Sequence, residues 1–128
     1  MLNILLVLIG GGLGSVARFI LSNTVYAYFG KAFPYGILAC NVIGCFVIGL
    51  LAAIFIYKFP STETFKTFCI TGFLGGFTTF SSFSLDTLEL IQSHLYLRAF
   101  SYVMLSIIIS MIFVALGFKL GFTTVEKF

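Results

Sequence analysis

The residues best suited to chemistry form one run, Thr71-Gly72-Phe73-Leu74-Gly75-Gly76-Phe77-Thr78-Thr79-Phe80-Ser81-Ser82-Phe83-Ser84, set in an apolar stretch. Glycine costs about 1 kcal/mol against alanine in a helix interior, so the Gly75-Gly76 pair predicts an interrupted helix. Non-helical backbone at membrane depth is tolerated only when it is buried in protein or lines a wet cavity. Carbonyls freed at such a break can coordinate a cation. The competing reading is an unbroken helix with a glycine-rich packing face. Phe80 and Phe83 are three apart and share a helical face. Phenylalanine rings have electropositive edges, so edges turned into a narrow lumen could touch an anion; otherwise both rings pack against neighbours.

Further polar groups interrupt the other apolar stretches. Asn41 lies in Leu38-Ala39-Cys40-Asn41-Val42-Ile43-Gly44. An amide in hydrocarbon is costly unless hydrogen-bonded, so Asn41 either caps the broken segment or donates to a passing anion. Tyr102, Ser106 and Ser110 follow at i, i+4, i+8. They drift by only about 40° per step on a helix of 3.6 residues per turn, which draws a line of hydroxyls down one face. Back-bonding of each serine to its own helix is the alternative. Arg18 either snorkels to the interface or draws anions into a vestibule. Asp86 and Glu89 fall toward the far end of their stretch, where a solvated or ion-paired position is expected.

Several function classes are disfavoured. There is no paired-carboxylate site, no nucleophile with a base and an orienting group, and no metal-ligand spacing, so an enzyme is not expected. The three cysteines, Cys40, Cys45 and Cys69, read as small packing residues. Gly12-x-Gly14-x-x-Ala17 imitates a dinucleotide fingerprint, but the first acidic residue is Glu63, far beyond the required spacing. No basic run marks a nucleic-acid footprint.

These groups must be positioned by membrane helices. The chain is 60% hydrophobic and 9% charged, against roughly 25% charged in soluble domains. Four stretches reach the length of about 20 apolar residues that a spanning helix needs: Leu2 to Phe29, Tyr35 to Tyr57, Phe65 to Leu95 and Ala99 to Phe122. The opening run lacks a cationic segment and a small-residue cleavage site, and reads as a retained first span. Pro34 and Pro60 suit loop positions just before helices. Residues 1–128 therefore form a single four-span domain of all-α membrane class.

Charge leaves the orientation undecided. Lys58, Lys66, Lys119 and Lys127 lie toward one side, and Lys31, Arg98 and the nearby Arg18 toward the other. The positive-inside rule needs a clear bias, so such a chain can insert both ways, and opposed copies can pair. Small residues offer contact surfaces at Gly10 and Gly14, at Cys45, Gly49 and Ala53, and at Gly72 and Gly76, for a partner or within one subunit.

Taken together, Gly11-Gly12-x-Gly14-Ser15-x-x-Arg18-Phe19, Asn41-x-x-Gly44 and the Gly72–Phe83 run resemble the Fluc (CrcB) fluoride channels over nearly the whole chain. The resemblance implies an antiparallel, dual-topology homodimer in the bacterial inner membrane. It implies two fluoride pores, each built from both subunits, and a structural sodium ion held between the subunits by backbone carbonyls. Here those carbonyls belong to Gly75 and Thr78. The aromatic box is Phe80 and Phe83, with Asn41, Ser81, Ser82, Tyr102, Ser106 and Ser110 lining the pore and Arg18 at the vestibule. Phe77 stands where a leucine is common and Ser82 where a threonine is common. The rival class is a small dual-topology multidrug or cation exporter, which normally needs a buried carboxylate that the first span lacks.

Overall fold

The computed structural model describes residues 1–127 and is all-helical. The first span is α1, Leu2–Phe29, and the second is α2, Tyr35–Tyr57. At 1.5 Å per residue their 28 and 23 residues reach roughly 42 and 35 Å, enough to cross a hydrocarbon core of about 30 Å. The third span is composite. It runs through α3 (Glu63–Lys66), a π-helical segment (Thr67–Leu74) and α4 (Gly75–Phe77), breaks at Thr78 and Thr79, and resumes as α5 (Phe80–Gln92). The last span is α6, Tyr96–Glu126. All four are long and apolar enough to cross a membrane.

The first two spans keep their expected bounds, and the others shift. The third starts two residues before Phe65 and stops at Gln92, three short of Leu95. His94 adopts φ 58°, its ring 3.0 Å from the Tyr96 hydroxyl, and this turns the chain early. Arg98 consequently lies in the first turn of α6 and donates to the Ala32 carbonyl at 3.3 Å, tying the start of α6 to the loop between α1 and α2. Pro34 is the N-cap of α2, as its position before a helix anticipates.

Two close helix pairs organise the subunit. α2 packs along α6, and α1 packs along the first half of the third span. Both rely on missing side chains. A Cβ on Gly14 would collide with the Phe73 carbonyl oxygen, one on Gly76 with that of Gly11, and one on Gly117 with that of Phe46. The small residues at Gly10, Gly14, Gly49, Gly72 and Gly76 are thus used inside the subunit, where peptide groups approach without Cβ atoms between them. The Gly12–Ala17 motif lies wholly within α1, not at a strand-to-helix turn.

Little of the apolar surface is covered by the subunit itself. A small core joins Leu90, Ala99 and Tyr102 with Phe33, Leu38 and Phe83. Large apolar side chains stand exposed on every span, among them Leu8, Phe19, Ile43, Phe80, Leu97 and Met111. Apolar area in water is unfavourable by roughly 25 cal/mol per Å², so these faces require lipid or protein cover.

Candidate functional site

The chain leaves the helix one step later than the glycines suggest. Gly75 keeps helical angles (φ −62°, ψ −36°) and Gly76 lies in α4. The backbone turns extended at Thr78 (φ −84°, ψ 156°) and Thr79 (φ −155°, ψ 122°). The glycines are needed as contact residues, because Gly76 meets the Gly11 backbone. The break is specified from outside, by Asn41 on α2. Its Nδ2 donates to the Thr79 carbonyl at 3.1 Å, and its Oδ1 accepts from the Thr79 N–H at 2.8 Å. One side-chain amide thereby replaces the hydrogen bond that a continued helix would give the Thr79 N–H and adds a donor to the Thr79 carbonyl, which as the N-cap position also serves the first turn of α5. Asn41 is therefore the cap of the broken segment, with one further N–H left to donate.

Thr79 is also the N-cap of α5. Its Oγ1 accepts from the Ser82 N–H at 3.1 Å and lies 3.2 Å from the hydroxyls of both Ser81 and Ser82. Two helix ends of opposite polarity are thus placed side by side. The carbonyl end of α4 favours positive charge, and the amide end of α5 favours negative charge. At the carbonyl end the Gly75 oxygen loses its helical donor, since the Thr79 N–H is bonded to Asn41. The Gly76 carbonyl accepts weakly from Ser15 Oγ at 3.5 Å, and the Thr78 carbonyl accepts from Arg18 Nη1 at 3.2 Å. Peptide oxygens at a negative helix end suit a hard monovalent cation, so Gly75 and Thr78 fit the sodium expectation in chemistry. Arg18 already stands on one of them.

On the other side of the break lies a run of aromatic and hydroxyl groups. The rings of Phe80 and Phe83 are 5.3 Å apart, and Phe83 is 5.3 Å from Tyr102. Phe80 is 78% exposed and projects off the subunit, so one copy forms an open wall and no closed lumen. Tyr102 is fully buried and donates to Asp86 Oδ2 at 3.2 Å. Ser106 is buried, and its hydroxyl has no hydrogen-bond partner among the described residues; it does not back-bond to its helix. A groove of about 270 Å³ is lined by Asn41, Cys45, Thr79, Phe80, Ser106 and Ser110 among others. A second cavity of about 390 Å³, at the bundle end, gathers Lys31, Asp86, Glu89 and Arg98.

Residues 5–118 match the family described as CrcB-like protein, Camphor Resistance (CrcB). The chain belongs to that family. Among its curated relatives is a protein of Francisella philomiragia named "Fluoride-specific ion channel FluC", 50% identical over 121 residues, or 91% of this chain and 92% of that one. Proteins with the same name from Magnetococcus marinus and Rhizobium etli are 43% identical over 115 residues and 49% identical over 92. They cover 90% and 72% of this CrcB chain, and 94% and 74% of their own lengths.

Within this CrcB fold the residues singled out from sequence fall into two groups. Asn41, Phe80, Phe83, Ser106 and Ser110 line one groove. Tyr102 joins it through its contact with Phe83, and Ser81 and Ser82 through Thr79 Oγ1. Gly75 and Thr78 mark the carbonyl end of the break, and Arg18 meets it from α1. Sequence reasoning passed over Thr79, the residue held by Asn41, although a threonine immediately before Phe80 is an N-cap signal. It also passed over Asp86, expected as a solvated or ion-paired carboxylate. Asp86 is half-buried and ends the hydroxyl line at Tyr102; an acid in the most polar span was the available clue.

Proposed function

We propose that this chain is the subunit of a fluoride-selective channel that lets fluoride leave the bacterial cytoplasm passively across the inner membrane. The observation that carries this reading is the break at Thr78–Thr79, clamped by Asn41 and flanked by the Phe80–Phe83 pair. The relatives' name, a fluoride-specific ion channel and no enzyme, supports it.

Fluoride is small and strongly hydrated, so a pore must replace its water with close donors and still release it. Conduction requires binding that is favourable enough to enter and weak enough to leave. Neutral groups meet that condition here: the free Asn41 N–H, the hydroxyls of Ser81, Ser82, Ser106 and Ser110, and the ring edges of Phe80 and Phe83. Tyr102 acts differently, because its proton is committed to Asp86. It shields the carboxylate from the line of hydroxyls, so Asp86 repels an anion less.

The exposure of Phe80 and the open groove support an assembly of two copies, in which a second subunit closes each pore. The near-equal basic charge on the two sides supports an antiparallel, dual-topology homodimer. Sodium is the proposed structural ion; when bound, it supplies fixed positive charge at the carbonyls of Gly75 and Thr78.

The test is fluoride efflux from liposomes carrying the purified protein, read with a fluoride electrode. Rapid efflux that needs no proton gradient is expected. No flux from folded protein removes the channel reading, and proton-driven efflux of a lipophilic cation replaces it with an exporter.

A further inference from the structure

Arg18 is a permanent charge within an apolar span, a placement that is costly and marks function. It is half-buried on α1, one turn beyond the Gly14 contact with the third span. Among the described residues it has no carboxylate partner, the one ion pair being Lys66–Glu63. Its charge is answered by a peptide oxygen, that of Thr78, at 3.2 Å and at the negative end of a helix. The Cys40 thiol donates to the Arg18 carbonyl at 3.7 Å, linking α2 to α1 at the same level. A guanidinium serving only to attract anions from water would not be expected to bond the backbone at the break.

We propose that Arg18 is a built-in cation of the break, which sets how tightly an inorganic monovalent cation binds at the Thr78 carbonyl. This rests on the cation-site part of the reading above. A carbonyl oxygen has two lone pairs, so the guanidinium and a metal ion either share the oxygen or exchange on it. In both cases two like charges meet in surroundings of low dielectric and oppose each other. Arg18 is then a positioning residue with an electrostatic cost to the ion: it steadies the break in the lone subunit and weakens the cation site. The opposite outcome, looser binding once Arg18 is removed, belongs to a residue that only aims the carbonyl.

The experiment is thermal unfolding of the full-length protein in detergent, titrated with sodium chloride against N-methyl-D-glucamine chloride at constant ionic strength. Arg18→Gln is expected to lower the sodium concentration at the stabilisation midpoint by about tenfold or more, and Arg18→Lys to stay near the parent. An unchanged or higher midpoint in Arg18→Gln overturns the proposal while leaving the cation site standing. No sodium response in either protein overturns both, and neither result bears on fluoride flux, which is measured separately. Should Arg18→Gln fail to fold, the parent protein still decides. The chain has two arginines, Arg18 and Arg98, so ¹⁵N-arginine spectra should show one side-chain signal moving with sodium. A pair of signals indifferent to sodium overturns the proposal.

Discussion

The two halves of the third span have similar length and opposite construction. Residues 63–77 lie against α1 with peptide groups nearly touching, and the π-helical turns of Thr67–Leu74 bring Gly72 and Gly76 to the glycines of α1. α5 touches mainly α6, carries hydroxyls at its start, and leaves Phe80 uncovered. The first half is held by close backbone packing and has no room to change. The second is held by a clamp and a cap, and its unsatisfied surface is what an ion or a second copy can use. π-helical turns are rare and often accompany functional sites; here the segment leads straight into the break.

The comparison makes Gly76→Leu the most damaging change. A side chain there meets the Gly11 backbone, which cannot yield. Overpacking of this kind costs about 1–3 kcal/mol, occasionally more, and here it opposes backbone. Size-exclusion chromatography should therefore show little monodisperse protein. A well-folded Gly76→Leu protein with parent stability would erase the contrast between the halves.

Next in size are changes in the second half, which should harm flux and spare the fold. Phe80→Ile or Phe83→Ile removes a ring edge from the proposed path. If that contact resembles a hydrogen bond to a charge, about 1.5–3 kcal/mol, efflux falls roughly ten- to a hundredfold. The oligomeric state should persist in both, and the melting temperature should persist for the exposed Phe80, while Phe83→Ile also loses packing against the core of Leu90 and Tyr102. Unchanged flux in both variants takes the rings out of the mechanism.

Asn41→Asp affects both the clamp on Thr79 and the proposed pore role of the residue. A carboxylate cannot donate to the Thr79 carbonyl and repels an anion, so efflux should stop, with a stability loss of about 0.5–1.5 kcal/mol from the lost hydrogen bond. Robust flux counts against a pore position. Thr79→Val removes the cap of α5 together with the hydroxyl's contacts to Ser81 and Ser82, with an expected loss of about 0.5–2 kcal/mol in chemical unfolding from the cap. The smallest effect belongs to Gly12→Ala. A Cβ there meets nothing within 4 Å, so the helix should gain up to about 1 kcal/mol. A loss at Gly12 would point to a close approach from a second copy on that face of α1.

How far the sequence alone carries is clearest at the break. Composition and run length determined four spans, the membrane class and the polar third span, because each depends on local hydropathy and helix length. The line of Tyr102, Ser106 and Ser110 was readable because helical periodicity is local too. The glycine pair signalled an anomaly at the right depth, but the chain bends at Thr78–Thr79. That shift could not be read locally: Gly76 is held helical by Gly11, and Thr79 is held extended by Asn41, 38 residues away. The pairing of Arg18 with the Thr78 carbonyl and of Tyr102 with Asp86 is likewise a product of helix packing. Sequence fixes which groups exist and which face they share; only the packed helices decide which donor meets which acceptor, because a hydrogen bond depends on positions to within a few tenths of an ångström.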